Sequence, residues 1–262
     1  MKFTQIVFSN VVPPTKFPDD IVLLLPEKSS LPVNQQHFLI FIPWNDSYLS
    51  NIPKQYLDFF KFVLPVLHAR TTDVHTAICL GFLDTLLAQF NEPINHKVVA
   101  IALILHDSGW SRLSEKEIAN SLGVKGLKLN ETALGPKEKH AIESEKITRE
   151  ILACYIFEPP LIQEEINLIC KAVLYHDKPE VVAGVGESMP LEVQVLVDLD
   201  HLWSFSHENF WQDTVRKNVK PVEYLQNLKN DLDSYFVTDE GKKLAKELLV
   251  QREKEVDECL TK

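Results

Sequence analysis

A histidine followed directly by an aspartate stands at the end of a strongly apolar segment. His106 and Asp107 come after the apolar run of residues 98–105, and His75 lies on an apolar stripe earlier in the chain. Burying imidazole and carboxylate groups without partners costs free energy. Neutral imidazole nitrogens and carboxylate oxygens are good ligands for transition metals. These residue types in apolar surroundings therefore indicate a metal site.

Two further histidines and two aspartates follow the same pattern. His140 and His176 each fall on the apolar face of a predicted helix, near one of its ends, and Asp198 and Asp200 lie within the apolar segment of residues 193–203. A single histidine of this kind is more often a hydrogen-bonded core residue. The coincidence of several in one chain favours a metal site, and periodicity leaves the choice between the two aspartates open.

The segments that must position these residues are predicted to be helical. Apolar residues recur at helical spacing over residues 72–90, 96–106 and 136–156, a further helix ends near His176, and another begins at Leu191. Only 8 glycines occur in 262 residues, which is typical of helical rather than β-rich proteins. We therefore expect an all-α helical bundle, in which metal ligands commonly come from several facing helices.

The beginning of the chain differs in composition from the rest. It is rich in proline and contains two short apolar runs, residues 21–25 and 38–42, which are typical of short strands or extended segments. We predict an irregular N-terminal appendage with short strands over residues 1–52. An all-helical metal-binding domain is predicted over residues 53–262.

The order of the candidate ligands resembles the HD-domain superfamily of metal-dependent phosphohydrolases, an all-α family with a histidine, a His-Asp pair and a final aspartate. The residues that match are His75, His106, Asp107 and Asp200. The resemblance covers residues 67–203, about half of the chain. In the family the last ligand often precedes a residue pair similar to the His-Leu that follows Asp200. This pair favours Asp200 as the final ligand, and Asp198 is kept as the alternative.

Some members of this family hold two metal ions and add two histidines between the His-Asp pair and the final aspartate. His140 and His176 stand in that order here. The resemblance then implies one or two divalent transition-metal ions, Mn, Fe, Co, Ni or Zn, with Asp107 as the catalytic residue that bridges two of them. Such ions polarise a phosphoryl oxygen and activate water. In the alternative, both histidines lie beside a single ion and contact phosphate.

Two basic residues near the ligands are candidates for substrate binding. Arg70 precedes His75 by five residues, and Lys178 follows His176 closely. A guanidinium binds phosphate bidentately, and an ammonium supplies a point charge. A surface arginine and a solvated loop lysine are the alternative interpretations.

The resemblance implies a hydrolase for a small phosphate ester, nucleotide-like or a metabolite. A di-iron oxygenase of the same fold and a non-catalytic HD ligand-binding module are the alternatives. The run from His106 to Trp110 lacks the lysine that often follows the His-Asp pair in two-metal members. Its absence weakens the interpretation as an oxygenase or a cyclic-dinucleotide phosphodiesterase.

Charge and composition exclude several classes of partner. The chain has 37 acidic and 27 basic residues, a formal charge of −10, which disfavours nucleic-acid polymers and anionic membrane surfaces. No apolar run approaches the roughly 20 residues of a membrane span. The 4 cysteines show no Cys-x-x-Cys pair. We expect a cytoplasmic protein with reduced cysteines and a small anionic substrate, and whether it forms a homodimer is left open.

Overall fold

Helices dominate the computed structural model, which describes residues 3–5, 17–26, 29, 31–124, 134–184 and 189–261. The α-helices in these ranges are α1 Leu57–Leu67, α2 Thr72–Leu87, α3 His96–Leu105, α4 Glu115–Ser121, α5 Pro136–Cys154, α6 Gln163–Tyr175, α7 Pro179–Gly184, α8 Leu191–Leu202, α9 His207–Arg216, α10 Pro221–Tyr235 and α11 Asp239–Thr261. The predicted all-α fold class is confirmed. No helix in these ranges has the length and apolarity needed to span a membrane.

Local sequence signals explain where several helices begin. The Ser114 hydroxyl accepts the N–H of Glu117, and the Glu117 carboxylate accepts the N–H of Ser114 at 2.8 Å, which forms a capping box at the start of α4. Pro136 occupies the first turn of α5, where a missing N–H costs nothing. The Asn95 side chain accepts the N–H of Val98 at the start of α3.

Helix α3 lies at the centre of the molecule. Residues 98–105 are all 0% exposed, and α2, α6 and α8 pack around them. Helix α5 packs against α6 and against the short 3-10 turn Ser108–Arg112 that follows α3. The buried helix therefore places its C-terminal end, with the His-Asp pair, among four other helices, α2, α5, α6 and α8, and this turn.

The segment before α1 packs on the same core as the helices. Ile21, Leu23, Ile40 and Ile42 are buried in one hydrophobic cluster with the helical residues. Strand β1, Phe3–Gln5, pairs antiparallel with β2, Leu24–Pro26. The apolar run 38–42 contributes one bridge, between Phe41 and Leu24, because a 3-10 helix occupies Val33–Leu39. The boundary between residues 52 and 53 stays a prediction.

Candidate metal centre

Six histidine and aspartate side chains from five parts of the fold converge on one point. They form two groups, His75 with His106 and Asp200, and Asp107 with His140 and His176. In each group the candidate ligand atoms lie within 4.8 Å of one another. The structure thus brings together all six side chains that the sequence suggested as ligands, from α2, the end of α3, α5, α6 and α8.

The carboxylate of Asp107 lies between the histidines of the first group and those of its own group. Its Oδ2 atom is 3.1 Å from His75 Nδ1 and 3.8 Å from His106 Nε2. Its Oδ1 atom is 3.4 Å from His140 Nε2 and 3.6 Å from His176 Nε2. One oxygen therefore faces each histidine pair, and its contact with His75 is to Nδ1, whereas the other ring nitrogen of His75 faces Asp200.

The two candidate aspartates of α8 point in different directions. Asp200 Oδ1 lies 3.0 Å from His75 Nε2 and 3.3 Å from His106 Nε2. Asp198 instead accepts hydrogen bonds at the start of α11, including the N–H of Val237 at 2.7 Å. Two residues along a helix turn by about 200°, so the two side chains leave opposite faces. The structure places Asp200, and not Asp198, at the histidine cluster.

Backbone carbonyls at helix ends set the tautomers of two histidines. His106 and His176 follow the last residues of α3 and α6, and each Nδ1 lies 2.6 Å from a carbonyl oxygen, of Leu103 and Val173 respectively. A carbonyl only accepts, so each Nδ1 carries the proton and, in the neutral ring, each Nε2 presents its lone pair to the cluster. This is the form of imidazole that binds a metal.

Buried nitrogen atoms in the cluster lack hydrogen-bond partners. His75 Nε2 and His106 Nε2 are both buried without one, although Asp200 Oδ1 lies near each. Lone pairs and carboxylates that converge in a buried space repel each other unless a cation lies among them. The donor set therefore fits a divalent transition metal, whose ligands are neutral imidazole and carboxylate.

The pKa values of the clustered side chains indicate that the carboxylates hold positive charge near them. Burial opposes the charged form of Asp107, yet the neighbouring histidines hold its pKa well below the usual range. Burial likewise opposes the charged form of His176, but Asp107 and Asp200 raise its pKa to about 9. Burial and the nearby His176 lower the pKa of His140. Without a metal, the carboxylates retain a proton on His176.

Residues just after the His-Asp pair support the cluster. The Trp110 ring stacks on His140 at 4.1 Å between centroids, and its Nε1–H donates to Asp107 Oδ1 at 2.9 Å. Gly109 N–H donates to the Ser144 hydroxyl at 2.8 Å, and a Cβ at Gly109 would lie 2.0 Å from the His140 carbonyl oxygen. Helix α5 therefore approaches this turn more closely than any larger residue permits.

A cavity of about 220 Å³ lies over the cluster. Its wall includes three basic side chains, Arg70, Lys137 and Arg216. The structure thus places Arg70 where the sequence suggested. The guanidinium lies 4.5 Å from the centroid of the Trp110 ring, and burial lowers the pKa of Arg70. A half-buried guanidinium at the wall of a cavity is suited to bind an anion.

The backbone at Arg70 is strained. Arg70 and Thr71 have φ values of 59° and 56°, the left-handed region that residues with a Cβ rarely adopt. Each such residue costs about 1–3 kcal/mol and tends to occur at functional sites. The strained pair joins α1 to α2 and directs the guanidinium into the cavity.

The lysine that lines the cavity is Lys137, whereas the sequence suggested Lys178. Lys178 is not among the described residues that line it, and its Nζ lies 5.8 Å from the ring of Tyr175. Lys137 lines the cavity instead and donates to Asp177 Oδ1 at 3.0 Å. Lys137 precedes His140 by three residues on α5, so helical spacing puts both on one face, and this spacing is the sequence signal that could have identified it. A role for Lys178 in substrate binding stays a prediction.

Comparisons with known proteins identify no relative of this chain. No protein-family model, no curated protein and no solved structure matches this chain. The similarity to HD domains is thus a likeness in residue types and their order. The structure shows a helical protein with a buried cluster of histidines and aspartates that could hold a metal ion.

Proposed function

We propose that this protein is a metal-dependent phosphohydrolase with an HD-type metal centre, acting on a small phosphate ester. The observation that carries the proposal is the position of Asp107. Its two oxygens face two separate histidine pairs beneath a cavity whose wall includes the guanidinium of Arg70. Paired metal sites joined in this way are typical of enzymes that displace groups at phosphorus.

Each group of side chains has a distinct part in the proposed site. His75, His106 and Asp200 would hold one ion, His140 and His176 a second, and Asp107 would bind both. When bound, such ions polarise phosphoryl oxygens and lower the pKa of water. The N–H of Trp110 holds Asp107 Oδ1 in place, as outer hydrogen bonds orient metal ligands in general.

The cavity resolves the conflict between an anionic substrate and an acidic chain. The formal charge of the protein is −10, which repels anions at a distance. Arg70 supplies positive charge at the cavity wall, where Lys137 and Arg216 are paired with Asp177 and Asp213, and a bound metal would add to it. A small phosphate that fits inside is favoured over a polymer that would lie along the acidic surface.

Metal analysis and a phosphatase screen test the proposal. The purified protein is expected to contain a transition metal and to release phosphate from at least one ester when Mn, Co, Ni, Fe or Zn is supplied. His106→Ala should lose bound metal and at least 100-fold of the phosphate release, since outer-sphere changes alone cost about 10–100-fold. His96→Ala is the matched control, because His96 lies at the other end of α3 and pairs with Asp84.

Other outcomes would count against hydrolysis. Bound iron with oxygen-dependent turnover and no phosphate release would favour the di-iron oxygenase. A protein without metal whose phosphate release survives His106→Ala would exclude the proposed site. Absence of both metal and turnover would favour a ligand-binding module.

A further inference from the structure

A second cavity, of about 320 Å³, lies beside the metal pocket. Its size is within the range of small-molecule sites, about 300–1,000 Å³. Six of the thirteen residues that line it are large and apolar, Phe38, Leu39, Ile40, Phe41, Ile118 and Leu122. The segment before α1 and helix α4 supply these side chains, and the mechanism proposed above uses none of them.

The two cavities adjoin. Four residues line both of them, Arg70, Thr71, Gln212 and Arg216. Arg216 is held in position by a hydrogen bond from its Nη2 to Asp213 Oδ1 at 2.6 Å. The apolar cavity is therefore the space that adjoins the metal pocket on the side of Arg70 and Arg216.

Polar groups at the boundary are already engaged within the protein. The Gln212 amide donates from Nε2 to the carbonyl oxygen of Ile40 at 2.8 Å. The Thr71 hydroxyl donates to the carbonyl oxygen of Arg70 at 2.6 Å. Two further polar residues line the cavity, and both have partners within the protein, His68 with Asp73 and Glu115 with Ser29. A sugar or a nucleobase placed there would lose its bonds to water and find few replacements, which costs free energy. A hydrocarbon group gains free energy there by leaving water.

Resting on the function proposed above, we propose that the substrate is a phosphate monoester of an apolar alkyl or aryl alcohol. The phosphate lies at the metal centre, and the hydrocarbon group lies among Phe38, Phe41, Ile118 and Leu122. Hydrolysis breaks the bond between phosphorus and the ester oxygen and forms a bond from phosphorus to a water oxygen. One proton passes from that water to the leaving oxygen, and the products are inorganic phosphate and the apolar alcohol.

Binding of alkylphosphonates tests this assignment separately from turnover. Calorimetric titration of the purified protein with added Mn²⁺ would compare the series from methylphosphonate to octylphosphonate. We expect the Kd to fall about fourfold with each added methylene until the cavity is filled. Adenosine monophosphate should bind more weakly than hexylphosphonate. Equal affinity along the series, no binding of any member, or tighter binding of adenosine monophosphate would each overturn the assignment.

Substitutions at Ile118 test the place of the hydrocarbon group. Ile118→Trp fills the cavity and should raise the Kd of octylphosphonate at least tenfold while leaving that of methylphosphonate within twofold. Ile118→Ala should shift the chain length of the tightest-binding alkylphosphonate to a longer one. This variant serves as the test if Ile118→Trp does not fold. Ile156→Trp is the matched control, since Ile156 is 83% exposed and lies outside the cavity. An equal effect of Ile118→Trp on both phosphonates would contradict the assignment.

Phosphate release from the corresponding alkyl phosphates separates the two proposals. Chain-length-dependent binding without phosphate release would refute the phosphohydrolase and leave the apolar subsite standing. Phosphate release from polar esters alone, with no dependence on chain length, would support the phosphohydrolase and refute the subsite.

Discussion

His140 and His176 face each other with their Nε2 atoms 3.0 Å apart. The carbonyl of Val173 keeps the proton of neutral His176 on Nδ1, so its Nε2 presents a lone pair to the other ring. Two imidazole nitrogens this close would fit one metal ion as neutral ligands. The pair is thus spaced as two ligands of one ion, and a shared proton takes that place when no metal is bound.

Metal binding is expected to release protons. Asp107 and Asp200 raise the pKa of His176 to about 9 against the opposing effect of burial, so this ring is protonated at neutral pH in the metal-free protein. A metal must displace that proton, and its apparent affinity should rise up to about tenfold per pH unit below pH ~9 for each proton displaced. Titrations in buffers of different ionisation enthalpy count these protons.

His176→Ala is the control for this linkage. It should bind less metal and release one proton fewer. Metal affinity that does not change between about pH 6 and pH 9 would contradict the assignment of His176 as a protonated ligand.

The hydrogen bond from Trp110 to Asp107 should affect metal affinity. Trp110→Phe keeps an aromatic ring against His140 and removes the N–H that holds Asp107 Oδ1. We expect metal affinity to fall about 10–100-fold with little change in the far-ultraviolet circular dichroism. Trp44→Phe is the matched control, because Trp44 donates to Asp46 at an exposed site. Equal metal affinity in the two variants would exclude an orienting role for Trp110.

The close approach at Gly109 should make this position intolerant of any side chain. A Cβ there would lie 2.0 Å from the carbonyl oxygen of His140, so Gly109→Ala must displace α5. We expect a loss of about 1–3 kcal/mol in the free energy of unfolding, together with weaker metal binding. Gly184→Ala is the control, since nothing lies within 4 Å of its added Cβ. Urea unfolding measures the free energy of unfolding of both variants. Equal stability of Gly109→Ala and Gly184→Ala would show that α5 does not approach Gly109 closely.

Low pH should weaken the ion pair between Asp213 and Arg216. Burial opposes the charged form of Asp213, but Arg216 and Lys217 hold its pKa below the usual range. A depressed folded-state pKa contributes stability above the unfolded value, near pH ~4, and this contribution is lost as the pH falls toward the folded-state value. Asp213→Asn should therefore lower the free energy of unfolding by about 3–5 kcal/mol at neutral pH.

The difference between Asp213→Asn and the unchanged protein should shrink as the pH is lowered below ~4. Urea unfolding at several pH values measures it. Asp233→Asn is the comparison, because Asp233 lies on the surface and pairs with Lys242. A pH-independent difference for Asp213→Asn would show that its charge is not what stabilises the fold.

The helical class and the types of candidate ligand follow from the amino-acid sequence alone. Apolar periodicity is a local property, and so it placed His75, His140 and His176 on inward faces and the His-Asp pair at the end of a buried helix. The structure confirms the all-α class and brings these side chains together.

Tertiary structure decided what depends on contacts between distant segments. Asp198 and Asp200 look alike in sequence, and only the packing of α11 against one face of α8 separates them. Lys137 reaches the cavity because α5 is held against the turn at Gly109, a contact that no local pattern encodes. The apolar cavity likewise needs residues 38–41 to meet α4, because a cavity is a property of how segments pack and not of any one segment.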